Sequence, residues 1–229
     1  MQTLSRETST GDVAERGLYR WGGYAALTIG VAYIVIIGLY AAAGAPPVGG
    51  EAWLEYLAGK AAVWWGIVGV SVLTNFLFVP VAFALYFALR GLNRGAMLIG
   101  VAFVGLFIAL ELAVNWAGYA ALIMLSDEYA AAAEAQRVIL IAAASYPSAV
   151  IASPLALVYA IGTLSFAFLM IGLVMRQGVF NKVTAYVGIV TGLLGLAAVA
   201  GLSLAVILNA VAATVWLFLV GYRLVQLAR

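Results

Sequence analysis

The chain has 229 residues, 66% of them hydrophobic and only 9% charged, with a net charge of +2. A soluble domain carries about a quarter charged residues, so this composition is that of an integral membrane protein, and so small a net charge gives no reason to expect a nucleic-acid partner. It has neither cysteine nor histidine, which excludes disulfides, thiol catalysis, Cys/His metal and iron–sulfur centres, His-ligated haem and Ser-His-Asp catalysis; no metal and no cofactor are expected.

Long uncharged runs separated by short charged breaks predict an all-α membrane bundle, because several runs exceed the roughly 20 residues a helix needs to cross about 30 Å of hydrocarbon. Barrel strands would alternate polar and apolar residues over about ten positions, and these runs do not. The opening "MQTLSRETSTGDVAERGLYR" reads as a cytoplasmic tail, 1–20. The apolar run after it is too long for a signal peptide and has no small-residue cleavage site, so the tail is expected to be retained. The first span is read over 21–43, ending at "GAPPVGG", where paired prolines and glycines stop a helix. "EAWLEYLAGK" then places Trp53, Leu54 and Leu57 on one side of a short interfacial helix. The second span, 61–89, turns at "RGLNRG" into the third, 96–125.

Glu134 and Arg137 suit "SDEYAAAAEAQRVILIAAAS" to the membrane interface, with Tyr146-Pro147 ending that helix and opening a fourth span, 146–175. Lys182 and Arg223 enclose about 40 uncharged residues, about 60 Å as a single helix, twice what a bilayer accepts. Two spans, 183–201 and 204–222, joined by a turn at Gly201 to Ser203, resolve this, and a short basic tail, 226–229, closes the chain.

Six spans agree with the tendency of Lys and Arg to collect in short cytoplasmic segments. With the N-terminus inside, only Lys60 and Arg137 of the 11 basic residues face outward. The expected topology is therefore N-in and C-in over 21–225. The segments around "RGLNRG" and "RQGVFNK" share a span, basic turn, Gly-rich span pattern, which fits either a two-helix repeat or the common needs of cytoplasmic turns.

Glu111, within "IALELAVNWAGY", is the one acid expected inside a span. Counting about 1.5 Å per residue places it near mid-depth, where a charge costs at least about 2–3 kcal/mol and a carboxyl marks a functional site by default. No intramembrane cation is available to it, so the expected form is the neutral, hydrogen-bond-donating acid. Helical spacing puts Gly100, Val104, Phe107, Glu111, Asn115 and Gly118 on one face of the third span. Ser71 and Asn75 share a face of the second span, which the short turn makes an antiparallel neighbour. Tyr33, Tyr159 and Thr163 are further mid-depth polar groups of unknown orientation. The candidate ligand-binding set is thus Glu111, Asn115, Asn75, Ser71, Tyr159 and Thr163; the plain alternative is that such groups only hydrogen-bond helices together. "GIVTG" at Gly188 to Gly192 has the spacing of close helix packing, Pro80 and Pro154 read as kinks, and Trp21, Trp53, Trp64 and Trp65 as interface anchors.

The segments "ALYFALRGLNRGAMLIGVAFVGLFIALELA", "LMIGLVMRQGVFNKVTAYVGIVTGLLGLAA" and "VWLFLVGYRL" resemble the uncharacterised bacterial six-helix family known as domain of unknown function 4386. The resemblance covers most of residues 21 to 225 and rests on small, apolar and basic residues. It implies a multi-pass bacterial inner-membrane protein, and it carries over no catalytic residue. The expected function is the non-enzymatic binding or transport of a small apolar or amphipathic ligand around Glu111. Alternatives are an accessory or assembly subunit of a larger membrane complex and a lipid-modifying enzyme using Glu111 for proton transfer. The expected partners are the lipid bilayer, a lipid-like ligand, and a membrane-protein partner or second copy of the chain.

Overall fold

The computed structural model describes the backbone of residues 2–229 and the side chains of residues 15–229; Arg6, Glu7 and Asp12 lie outside the described side chains. Every element among the described residues is helical. No proline interrupts the chain before Pro46, and the expected tail and first span form one helix, α1 (Gln2–Ala43). The Gly49 backbone, at φ 106°, then admits α2 (Gly50–Leu57), whose Trp53, Leu54 and Leu57 are buried together as their spacing predicts. Next come α3 (Ala61–Leu89), with Pro80 inside it, and α4 (Arg94–Leu110). A π-helical segment, Glu111–Trp116, joins α4 to α5 (Ala117–Ala131) without a break.

The largest departure from expectation follows. Pro147 does not end a helix: α6 runs from Glu134 to Ala152 with the proline inside it. Pro147 is buried and α6 stays packed on α2 and α5, so the loss of one backbone hydrogen bond is absorbed as it is in many membrane helices. The break falls at Ser153, extended at φ −71° and ψ 149°, the conformation a following proline imposes. Pro154 therefore starts a helix at its first position, where no backbone donor is needed, and does not kink one. The expected fourth span, 146–175, is accordingly divided: residues 146–152 belong to α6, and the remainder is α7 (Pro154–Leu157), a second π segment (Val158–Gly162) and α8 (Thr163–Met175). After α9 (Lys182–Val199), Gly201 turns the chain at φ 100° into α10 (Ser203–Leu227). Seven helical stretches are long and apolar enough to cross a membrane, the seventh being Glu134–Ala152.

Neighbouring contacts run α1–α3, α3–α4, α4–α8, α8–α9, α9–α10 and α10–α1, which closes a ring of helices. The stretch Arg94–Ala131 is 38 residues long, about 57 Å at 1.5 Å per residue. Along it, α6 packs on α5 while α8 packs on α4, so these two follow one another end to end beside a single long helix. The basic turns meet at one end of the ring. A Cβ on Gly178 would lie 2.6 Å from Leu92 of the α3–α4 turn, Arg90 pairs with Glu15 at 2.9 Å, and Arg223 donates to the Val179 carbonyl at 2.8 Å. Asn93 and Asn181 cap the helices leaving the two turns, accepting from the backbone N–H of Ala96 and Thr184.

Glycines set the closeness of the ring on its α9 side. Gly188 lies against the Trp216 indole and Gly192 against the Ser165 carbonyl, so the two ends of "GIVTG" serve different neighbours, α10 and α8. Two separate hydrophobic cores fill the bundle. One, at the basic end, gathers Phe78, Leu85, Phe107, Phe168, Trp216 and their neighbours. The other, at the α2 end, gathers Trp53, Leu54, Trp64, Leu122 and Leu140.

Candidate functional site

Between the two cores lies a polar layer. Ser71, Thr74 and Asn75 on α3, with Glu111 and Asn115 on the first π segment, are all buried there, Asn75 at 2% exposure and Glu111 at 4%. A π turn bonds each residue to the fifth along. It thus brings Glu111 and Trp116, five residues apart, to the same side, where a regular helix would set them about 140° apart. Both side chains line one cavity of ≈210 Å³, together with Ser71, Thr74 and Asn75 of α3, Tyr33, Ile36, Ile37 and Tyr40 of α1, Phe107, Ala160 and Ala210.

Three of the six candidate residues, Glu111, Asn75 and Ser71, line this cavity. Asn115 stands behind the acid: its Nδ2 donates to Glu111 Oε1 and, at a long 3.4 Å, to the Ala156 carbonyl of α7. Tyr159 and Thr163 are not brought to the cavity wall. The Thr163 hydroxyl donates to the Tyr159 carbonyl at 2.7 Å, within its own helix, and Ala160 of the second π segment faces the cavity instead. The two π segments pack on one another across the bundle.

The cavity wall carries polar atoms without partners. Ser71 Oγ and Asn75 Nδ2 are buried and make no hydrogen bond among the described residues, and Trp116 Nε1, though it lies beside the Glu111 carboxyl, makes none of good geometry. Such groups usually cost about 1–3 kcal/mol each, and buried polar atoms are paired in the great majority of cases. Thr74 differs, its hydroxyl being engaged with the Ser71 carbonyl at 2.7 Å. Two of the unpaired atoms, Asn75 Nδ2 and Trp116 Nε1, can only donate, and no Lys or Arg lines the cavity.

Aromatic rings close the α2 end. Trp64 stacks on Tyr119 at 5.1 Å and meets Trp53 and Tyr40 edge-on at 5.3 and 5.7 Å, while Trp116 packs on Tyr119 at 5.6 Å. Trp53 and Trp64 are therefore buried parts of a lid and not interface anchors, whereas Trp21, at 71% exposure, is free to be one. At the basic end, Phe78 and Phe107 close the floor, 5.6 Å apart and edge to face. The side toward the bilayer is less closed. Helices α1 and α10 are pressed together at Gly23 and Gly221 and at Gly30 and Phe218, but one turn farther along α1 the cavity begins between Tyr33 and Ala210. Ile37 both lines it and is 45% exposed on the outer surface.

A second cavity of ≈180 Å³ adjoins the first, sharing Tyr33, Ala160 and Ala210 and continuing between Leu164, Phe168, Val206 and Ala213. Its polar groups are Ser165, Asn209 and the shared Tyr33, and the Asn209 amide is already engaged, donating to the Thr191 carbonyl at 2.7 Å. No group of Asp, Glu, His or Cys among the described residues is arranged to hold a metal ion. No known family, curated protein or solved structure matches the chain.

Proposed function

We propose that the chain crosses the membrane six times, with both termini on the basic, cytoplasmic side, and binds a small apolar or amphipathic ligand in the cavity at Glu111. The bacterial inner-membrane location implied by the resemblance to the six-helix family belongs to the same proposal. Six crossings, not seven, follow from treating α6 and α8 as one descending arm, since both lie in sequence along the single helix Arg94–Ala131. The contact between the two basic turns supports this count, because a separate crossing by α6 would put them on opposite faces. The chain lacks cysteine, so single reporters are clean. Leu92→Cys and Val179→Cys are expected to react with a membrane-impermeant maleimide from the cytoplasmic face only; labelling from opposite faces would overturn the six-crossing topology.

The observation that carries the binding reading is the convergence of Ser71 Oγ, Asn75 Nδ2 and Trp116 Nε1, all unpaired, on one cavity with a buried acid. Trp64 Nε1, Trp216 Nε1 and Asn115 Oδ1 are unpaired as well but line neither cavity, whereas here three such atoms face one space; polar groups that only join helices are paired with them, as Asn209 is with Thr191. Native mass spectrometry of protein taken from its own membranes tests this. Wild type is expected to retain one small molecule per chain, and Asn75→Leu and Glu111→Leu to lose it. A wild-type protein that carries none, with an experimental density map showing the cavity empty, would refute it.

A further inference from the structure

We infer that the occupant is a neutral, single-chain amphiphile, its hydrogen-bond-accepting head against Glu111, Asn75 and Trp116 and its chain laid through the second cavity toward Phe168. This rests on the binding reading above and adds what the ligand must be.

The head is set by what the first cavity lacks. Two of its unpaired atoms can only donate, and Ser71 can do either. An ammonium head could ionise Glu111 and pair with it, but it would bring only donors to Asn75 Nδ2 and Trp116 Nε1 and leave both unsatisfied. A phosphate or carboxylate head would be buried beside Glu111 with no Lys or Arg in the wall. A carbonyl or hydroxyl head meets the donors with its acceptors and needs no counter-ion. The chain is set by the second cavity, whose wall at Leu164, Phe168, Val206 and Ala213 is apolar and whose one amide is engaged elsewhere. Neither cavity alone reaches the roughly 300 Å³ at which small-molecule sites usually begin, and joined at Tyr33, Ala160 and Ala210 they do. Access fits the same class. The aromatic lid and the Phe78–Phe107 floor close the ends, while the wall continues to the outer surface at Ile37, so a molecule dissolved in the bilayer has the shorter way in.

The test uses purified full-length protein in detergent, stripped of co-purifying lipid, with binding counted by native mass spectrometry. Four probes separate head from chain: 1-octanoylglycerol, octylamine, octanoate and 1-butanoylglycerol, the first sized to both cavities together and the last to the first alone. Wild type is expected to prefer 1-octanoylglycerol at least tenfold over both charged probes, and severalfold over 1-butanoylglycerol. Ala213→Phe, which fills the second cavity, is expected to abolish the preference for the longer chain while keeping 1-butanoylglycerol bound. Val206→Phe, at a less buried point of the same wall, gives the same reading if Ala213→Phe does not fold. Preference for octylamine or octanoate would overturn the neutral head. Equal binding of long and short monoacylglycerols by wild type and both variants would overturn the chain placement and leave the Glu111 site standing. Failure of all four probes to bind would overturn the inference together with the amphiphile-binding reading beneath it.

Discussion

Asn75→Leu is expected to stabilise the ligand-free protein. Asn75 is 2% exposed, and its Nδ2 has no partner; an unsatisfied buried polar group of this kind costs about 1–3 kcal/mol. Leucine matches asparagine in side-chain branching and heavy-atom count but is bulkier, and its extra bulk extends into the cavity, against a wall that already holds Ile36, Ile37 and Phe107, so the exchange removes the penalty with little strain. Part of the gain is lost because a cavity of ≈210 Å³ has room for several waters, each taking about 30 Å³, which solvate the amide when no ligand is present. About 1 kcal/mol remains, which for a chain of this size is a rise of about 2–4 °C in Tm. The assay is the apparent Tm of wild type and variant in one detergent at one scan rate, a fixed rate being needed because membrane proteins often unfold irreversibly. Asn115→Leu is the paired control. Asn115 is bonded to Glu111 and to Ala156, so its loss leaves the acid alone and should lower Tm by a similar amount. A fall of 2 °C or more in Asn75→Leu would refute the reasoning, since it would mean that the amide is paired within the bundle and holds it together.

Three further outcomes follow from packing. Gly195→Ala drives a Cβ into Ser165 and toward the Asn209 amide and should cost about 1–3 kcal/mol or more, seen as a loss of folded yield in detergent; the double variant Gly195→Ala with Ser165→Gly should recover much of it. Gly38→Ala, where a Cβ would meet nothing within 4 Å, should be neutral or stabilising by up to about 1 kcal/mol in the same assay. Trp64→Ala removes a fully buried ring from the lid and should lower stability by about 3–5 kcal/mol. It should also make Asn75→Cys reactive to a membrane-impermeant thiol reagent from the outer side, where Asn75→Cys alone is protected.

Much of the architecture could be read from hydropathy and helical period. The helix expected over 61–89 coincides with α3, and the turn before Ser203 lies where about 40 uncharged residues required one. Glu111, Asn75 and Ser71 were legible because a buried polar residue in an apolar run stands out at any register. What failed did so where the backbone leaves the regular helix. A 3.6-residue period cannot pair Glu111 with Trp116, nor show that Ala160 rather than Tyr159 faces inward, because both regions are π-helical and nothing in "ELAVNW" or "VYAIG" announces a π turn. Proline misled in the opposite sense: Pro147 continues a helix and Pro154 begins one, a distinction that depends on which neighbours hold the chain. Trp53 and Trp64 lie near the predicted start of the second span, as anchors do, and only the fold of α2 over the bundle reveals that they face inward.

The shortest of the seven membrane-length stretches gives the bundle a ruler. On the six-crossing reading, α9, at 18 residues about 27 Å long, is barely the thickness of the hydrocarbon layer, and so it has no freedom to slide along the membrane normal or to tilt far. Its length fixes depth for everything bonded to it. Thr191 is at its middle and takes the hydrogen bond from Asn209, and the next residue on α10, Ala210, shares a wall with Glu111. The cavity is thereby held about 13 Å from either face by a helix that contributes none of its lining. Lengthening α9 by one turn should shift the acid about 5 Å toward one surface without altering a single residue around it.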